Sequence, residues 1–291
     1  MNTARTGYQL PAETRIGTVR LQVADLGRSL EWYQRVLGLR VLSQGPGTAA
    51  LGPLGGDTAL LELREHPGAL PPPRRGRLGL FHYAILVPDR AALGRFLAHQ
   101  VKQRTPIGAS DHLVSEAIYL SDPDGLGIEV YRDRPRAEWP YVNGQLAMDT
   151  LPLDGDGVLQ AAGGYEWEGM PAGTTIGHMH LHVGDIATAS RFYQQGLGLD
   201  VTVSGYPGAL FLSAGGYHHH LGVNTWAGPA ATPPRESDAR LVEWELLLPK
   251  KEELGAVSTS LTGAGATPEM TDRGLVVRDP WGAQLVIRAV V

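Results

Sequence analysis

Three features of the chain predict an α+β fold of four βαβββ modules, paired into two open barrel-like halves. The first is a long internal repeat: IGTVRLQVADLGRSLEWYQRVLGLRV, from Ile16, returns as IGHMHLHVGDIATASRFYQQGLGLDV, from Ile176. The second is a weaker repeat of FHYAILVPDRAALGRFL, from Phe81, in VEWELLLPKKEELGAV, from Val242. The third is the content of 38 Gly and 21 Pro, which suits many short strands joined by turns better than a helical bundle.

Taken in order, the first module opens with an alternating strand. Asp25 then stands at a helix N-cap position, and the Gly of L-G-L suits the helix stop. The third module repeats this, with Asp185 as the cap. The second and fourth modules each read strand, Pro, helix, then a D-P-x-G turn at Asp122 and Asp279 before a closing strand. Those two aspartates are assigned to turn structure. The chain divides into an N-terminal two-module part (1–135), an aromatic and Gly-rich linker (136–170) and a C-terminal two-module part (171–291). The linker's Trp139, Tyr141, Tyr165 and Trp167, with Trp226 beyond it, are candidates for an aromatic-substrate wall or for ordinary packing.

Strand alternation sorts the polar residues by face. His178, His180 and His182 share one face, against Met179, Leu181 and Val183. In the first module Thr18, Arg20 and Gln22 stand against Val19, Leu21 and Val23. His82 and Glu243 occupy corresponding places in modules two and four, and Glu245 shares a face with Glu243. In the run HHH, alternation places His218 and His220 inward and His219 outward.

Composition narrows the chemistry. The 291 residues contain no cysteine, so thiol catalysis, Cys-ligated zinc, iron–sulfur clusters and disulfides are excluded. The formal net charge of -5, without a Lys/Arg run, provides no track for nucleic acid. No long apolar span or apolar N-terminal stretch is seen, so a cytoplasmic protein without a membrane partner is expected. The modest charge permits a homo-oligomer.

Modules with this strand, D-x-x-x-S/A-x-x-F/W-Y-x-x-x-L-G-L pattern resemble the vicinal oxygen chelate superfamily, which includes glyoxalases, bleomycin-resistance proteins and extradiol dioxygenases. The four-module length and the His-rich second half most resemble its bacterial catechol 2,3-dioxygenase branch. The resemblance implies a metal-dependent ring-cleaving dioxygenase acting on a small aromatic diol with O2. In such enzymes the metal ligands are a His on the first strand of module three, a His on the first strand of module four and a Glu on its closing strand. This chain has His178 at the first place, but Glu243 and Val286 at the other two.

The first candidate metal site is therefore His178, His220 and Glu243, with His218 or His219 moving protons. Two imidazoles and a carboxylate suit Fe(II), with Mn(II) or Zn(II) as other occupants. A second candidate site is His82 and Glu129, with Glu62, Thr18 and His112 near it. Each residue also has a plainer reading. His82 can be a satisfied core histidine, Glu243 can pair with an Arg or Lys, Glu62 and Glu129 can be edge-strand acids, and HHH can be a hydrogen-bonded loop. A glyoxalase-like isomerase or lyase, and a metal-free binder of small molecules, remain alternatives to the dioxygenase.

Overall fold

The computed structural model describes residues 7–73, 75–164 and 166–290. Module one comprises β1 (Arg15–Val23), α1 (Leu26–Arg35), β2 (Arg40–Gly45), β3 (Thr48–Gly52) and β4 (Leu61–Glu65). Module two has β5 (Gly79–Leu86), α2 (Arg90–Gln103), β6 (Gly108–Asp111), β7 (Ser115–Ser121) and β8 (Gly127–Asp133). The linker folds as a hairpin, β9 (Tyr141–Val142) with β10 (Gln145–Leu146), and a short helix α3 (Gly155–Ala161). Module three has β11 (Thr175–His182), α4 (Ile186–Ala189) continuing as a wider helical turn over Ser190–Gly196, β12 (Asp200–Val203), β13 (Ala209–Ser213) and β14 (Leu221–Asn224). Module four has β15 (Arg240–Leu248), α5 (Glu253–Gly263), β16 (Glu269–Thr271), β17 (Gly274–Arg278) and β18 (Gln284–Ala289).

The caps fall where the repeat places them. Asp25 Oδ1 accepts from the Arg28 N–H, and Asp185 Oδ1 accepts from the Thr188 N–H. Gly38 and Gly198, in the two L-G-L segments, take φ of 67° and 94°, the left-handed region that a side chain disfavours.

The strands form two eight-stranded sheets, β16-β17-β18-β15-β1-β4-β3-β2 and β12-β13-β14-β11-β5-β8-β7-β6. Module one thus shares a sheet with module four, and module two with module three. The sheets cut across the division at 135 and 171, so each half-barrel draws one module from each half of the chain. The joins are antiparallel ladders, β1 on β15 and β5 on β11. Val19, Leu21, Met179 and Leu181 lie fully in the core, as alternation requires.

The repeated tyrosine clips successive modules together. The Tyr33 hydroxyl donates to Asp122 Oδ2 at 3.0 Å, and the Tyr193 hydroxyl donates to Asp279 Oδ2 at 2.8 Å. The other oxygen of each aspartate accepts two backbone N–H groups of its own turn. Both aspartates are therefore structural, and burial pushes the Asp122 carboxyl up to about 7. Because each clip joins a helical segment of a module in one sheet to a turn of a module in the other, it also holds the two half-barrels together. Among the described residues no helix is long and apolar enough to cross a membrane.

Candidate functional site

In the second sheet three side chains converge from adjacent strands: His82 on β5, Glu129 on β8 and His178 on β11. One ligand atom from each lies within 4.8 Å of the others. Glu129 Oε2 stands 3.0 Å from His82 Nε2 and 3.1 Å from His178 Nε2. All three residues are buried. The convergence follows from register: His178 pairs with Ala84, two residues from His82, and Ala84 pairs with Glu129 on its other side.

Electrostatics show what this trio accepts. Burial strips His178 of its proton, lowering it to about 4. Burial would push Glu129 up, yet the two imidazoles at its oxygen hold it well below the usual carboxylate range. Glu129 is thus an ionised carboxylate inside the protein, with two imidazoles beside it and no Lys or Arg ion pair among the described residues. His82 Nε2 is itself buried without a hydrogen-bond partner, since it lies near Glu129 out of alignment. A buried negative charge and an orphaned imidazole nitrogen both call for a cation, and two imidazoles with a carboxylate fit a divalent metal.

The other acids of this type are already neutralised. Glu243, a ligand candidate from sequence, lies in the first sheet. There Arg20 and Arg273 donate to its Oε1 and Gln284 to its Oε2 at 2.7 Å. Glu245 is 3.2 Å from Arg20 as well, and Glu62 accepts from the same guanidinium. Thr18 Oγ1 donates to the Ala59 carbonyl. The physical reason is the pairing of β15 with β1 rather than with the module-three strands, so Glu243 meets Arg20 and never His178. The Arg20→Met variant is expected to lose about 3 kcal/mol of stability, because it leaves buried carboxylates short of a partner. Urea unfolding measures that loss, and metal content measured in parallel stays at the wild-type value.

The HHH run also differs from the alternating strand read from sequence. β14 begins only at Leu221, and Gly215 and Gly216 have φ of 61° and 66°, so the histidines occupy an irregular segment that follows a glycine turn. His220 turns away: its Nδ1 accepts from the Ala214 N–H at 3.2 Å and lies 3.1 Å from Ser213 Oγ. His219, which alternation pointed outward, lines the cavity instead, with its ring 4.0 Å from that of His178. His218 links it to Asp133: Nδ1 to Nδ1 at 2.8 Å, and Nε2 to Asp133 Oδ1 at 2.8 Å. An ionised Asp133 only accepts, so His218 Nε2 carries a proton. In the neutral pair His219 Nδ1–H then donates to His218 Nδ1, and His219 Nε2 is left bare.

A cavity of about 300 Å³ adjoins the trio, walled by Phe81, Tyr206, Phe211 and Trp226. Of the linker aromatics, Trp139 packs on His218 and Trp167 on Phe96 and His99, while Tyr141 is exposed. Tyr165 lies outside the described residues. The linker does reach the cavity through Met148, Asp149 and Thr150. Its Asp149 carbonyl accepts from His112 Nδ1–H at 2.7 Å, so in the neutral ring His112 Nε2 accepts from the Tyr119 hydroxyl at 2.6 Å. Tyr119, directly opposite Glu129 in the β7–β8 ladder, was not singled out by sequence. Its signal was available in the same-face alternation of SEAIYLS against GIEVYRD.

This geometry agrees with relationships to known proteins. Residues 15–130 and 175–287 match the profile of the Glyoxalase/Bleomycin resistance protein/Dioxygenase superfamily, and the chain belongs to that superfamily. It is 44% identical over 271 residues to a catechol-2,3-dioxygenase of Bacillus subtilis (strain 168), covering 92% of this chain and 94% of that one. Among solved structures, a Bacillus subtilis protein provisionally described as a dioxygenase aligns with a TM-score of 0.64 at 16% identity, over 97% of this chain and 86% of the other. Glyoxalase I of Zea mays aligns with a TM-score of 0.57 at 15% identity, over 94% and 92%. These two likenesses show a shared fold.

Proposed function

We propose that the chain is a metal-dependent, extradiol-type ring-cleaving dioxygenase acting on a catechol-like aromatic diol. The observation that carries this reading is the buried, unneutralised Glu129 between the His82 and His178 imidazoles, facing an aromatic cavity. Support comes from the 44% identical catechol-2,3-dioxygenase. It also comes from the ligand pattern expected of such enzymes, with module two standing where module four was expected. His178 keeps the first strand of module three, while His82 and Glu129 supply the first and closing strands of its sheet partner.

In this reading His82, Glu129 and His178 hold one divalent ion, with Fe(II) favoured and Mn(II) or Zn(II) as other occupants. When bound, the ion supplies a Lewis acid for the two hydroxyl oxygens and open positions for ligands. The protein contributes proton handling and orientation. His219 Nε2, bare and facing the cavity, takes a hydroxyl proton. The Nδ1 proton then shifts to His218, and Asp133 stabilises the resulting imidazolium. Both atoms of O2 enter the product, and the ring opens at the bond beside one oxygen-bearing carbon.

The test is protein purified and reconstituted with Fe(II) under anaerobic conditions, then supplied with catechol and O2. One O2 consumed per diol, with a yellow ring-fission product, is expected. Oxygen-independent turnover of a hemithioacetal would point to a glyoxalase-like isomerase instead, and absence of bound metal would point to a binder. The Asp133→Asn variant is expected to keep its metal and lose about 100-fold in kcat, with an altered pH profile. Unchanged kinetics in that variant would remove the relay.

A further inference from the structure

His180 stands two residues along β11 from His178, about 7 Å further down the strand. It is buried, lines the same cavity, and packs between Phe81, Phe211 and Trp226, with its ring 5.0 Å from that of His82. Its protonation pattern follows from one backbone group. The Trp226 N–H points at Asn224 Oδ1 at 3.0 Å, and a backbone N–H only donates, so that side-chain atom is the oxygen. Asn224 Nδ2 is therefore the donor facing His180 Nε2 at 2.9 Å, and that ring nitrogen accepts. The ring proton of His180 must then sit on Nδ1. His182 Nδ1, 2.6 Å from the same Asn224 oxygen, donates to it and reinforces the assignment.

The Nδ1–H of His180 meets no acceptor among the described residues. The residue is only 4% exposed and lines the cavity, so the cavity is what this N–H reaches. This fixed donor lies in an aromatic slot, one strand step beyond His178. It sits where a substituent of the bound ring would extend. No Lys or Arg lines this cavity among the described residues, while Asp149 stands exposed at its edge, which suits an uncharged acceptor.

We propose that His180 is a specificity-determining residue, whose Nδ1–H selects aromatic diols carrying an uncharged oxygen substituent on the ring, such as an ether, hydroxyl or carbonyl. The proposal rests on the ring-cleavage reading for its kinetic form only. A substrate with a methylene in place of that oxygen leaves the buried N–H unpaired and is penalised.

The experiment compares methoxycatechols with the matching ethylcatechols, in both 3- and 4-substituted series, on the Fe(II)-loaded protein. The wild type is expected to favour the methoxy member of one series by about tenfold in kcat/KM. His180→Phe should abolish that preference, bringing the methoxy and ethyl members of the series to within about twofold of each other in kcat/KM, with metal content at the wild-type value. Asn224→Asp offers a carboxylate oxygen where the amide donated, so it moves the His180 proton to Nε2 and should also erase the preference. Equal rates for each wild-type pair would overturn the proposal, as would a His180→Phe variant that loses both substrates alike while keeping its metal. If no diol is cleaved, the ring-cleavage reading falls. Dissociation constants of the same pairs, read by quenching of tryptophan fluorescence, then decide the His180 assignment separately.

Discussion

Glu129→Gln is expected to empty the metal centre: bound Fe(II) should fall from about one ion per chain to almost none, and ring cleavage by at least about 1,000-fold. Disrupting a group that merely supports a metal ligand costs roughly 10–100-fold in affinity or activity, and losing the only charged ligand costs more. In the metal-free protein this carboxylate is buried with the His82 and His178 imidazoles at its oxygen, and they hold it well below the usual carboxylate range. A carboxylate whose folded value is depressed stabilises the fold in its charged form, so the neutral amide is expected to lower the urea midpoint of the metal-free protein as well. Glu243→Gln should lose stability while keeping the metal, because Glu243 answers to Arg20 and Arg273. Metal analysis on the two variants therefore separates the ligand acid from the structural acid. A Glu129→Gln protein that retains its ion would sink the assignment of the centre.

Much of this architecture is legible in the chain because it rests on local rules. Alternation in GHMHLHV puts His178 and His180 on one face, and the cap at Asp185 depends only on residues within a turn of it. Which module borders which depends on distant ladders, where β1 chooses β15 and β5 chooses β11. Nothing in either strand alone encodes that choice. The first ligand candidate set holds His178 and the second holds His82 with Glu129, and only the β5–β11 ladder brings the three together. The HHH run misled for a different reason. Two left-handed glycines ahead of it break the period of two, so His219 and His220 exchange the faces that alternation assigns them. His112, placed near the second site by sequence, is fixed there by a linker carbonyl 37 residues away, which no local rule supplies.

Acidification of the metal-free protein tests the buried imidazoles as a group. Burial lowers His178 to about 4 and His220 to about 3, and holds His180 and His219 well below the ordinary 6.5. A base whose folded value is depressed contributes stability above its unfolded value and loses it as pH falls below 6.5, because only the unfolded chain then takes up the proton. Between about pH 7.5 and 5.5 the unfolded chain takes up these protons and the folded one does not, so the four imidazoles favour unfolding on acidification, with His182 and His99 acting in the same direction. Asp122 and Asp279 work in the opposite sense: their folded values are raised, Asp122 to about 7, so the native state binds those protons first as pH falls. With more imidazoles than carboxyls shifted, the expected outcome is a net loss of stability over this range. Urea midpoints of chelator-treated protein at the two pH values measure it. Asp122→Asn should steepen the loss, since the opposing carboxyl is gone, and His220→Gln should shallow it by about one proton. Stability that holds constant or rises on acidification would mean that these rings are charged in the folded state, and the neutral imidazoles required for binding a metal would not exist.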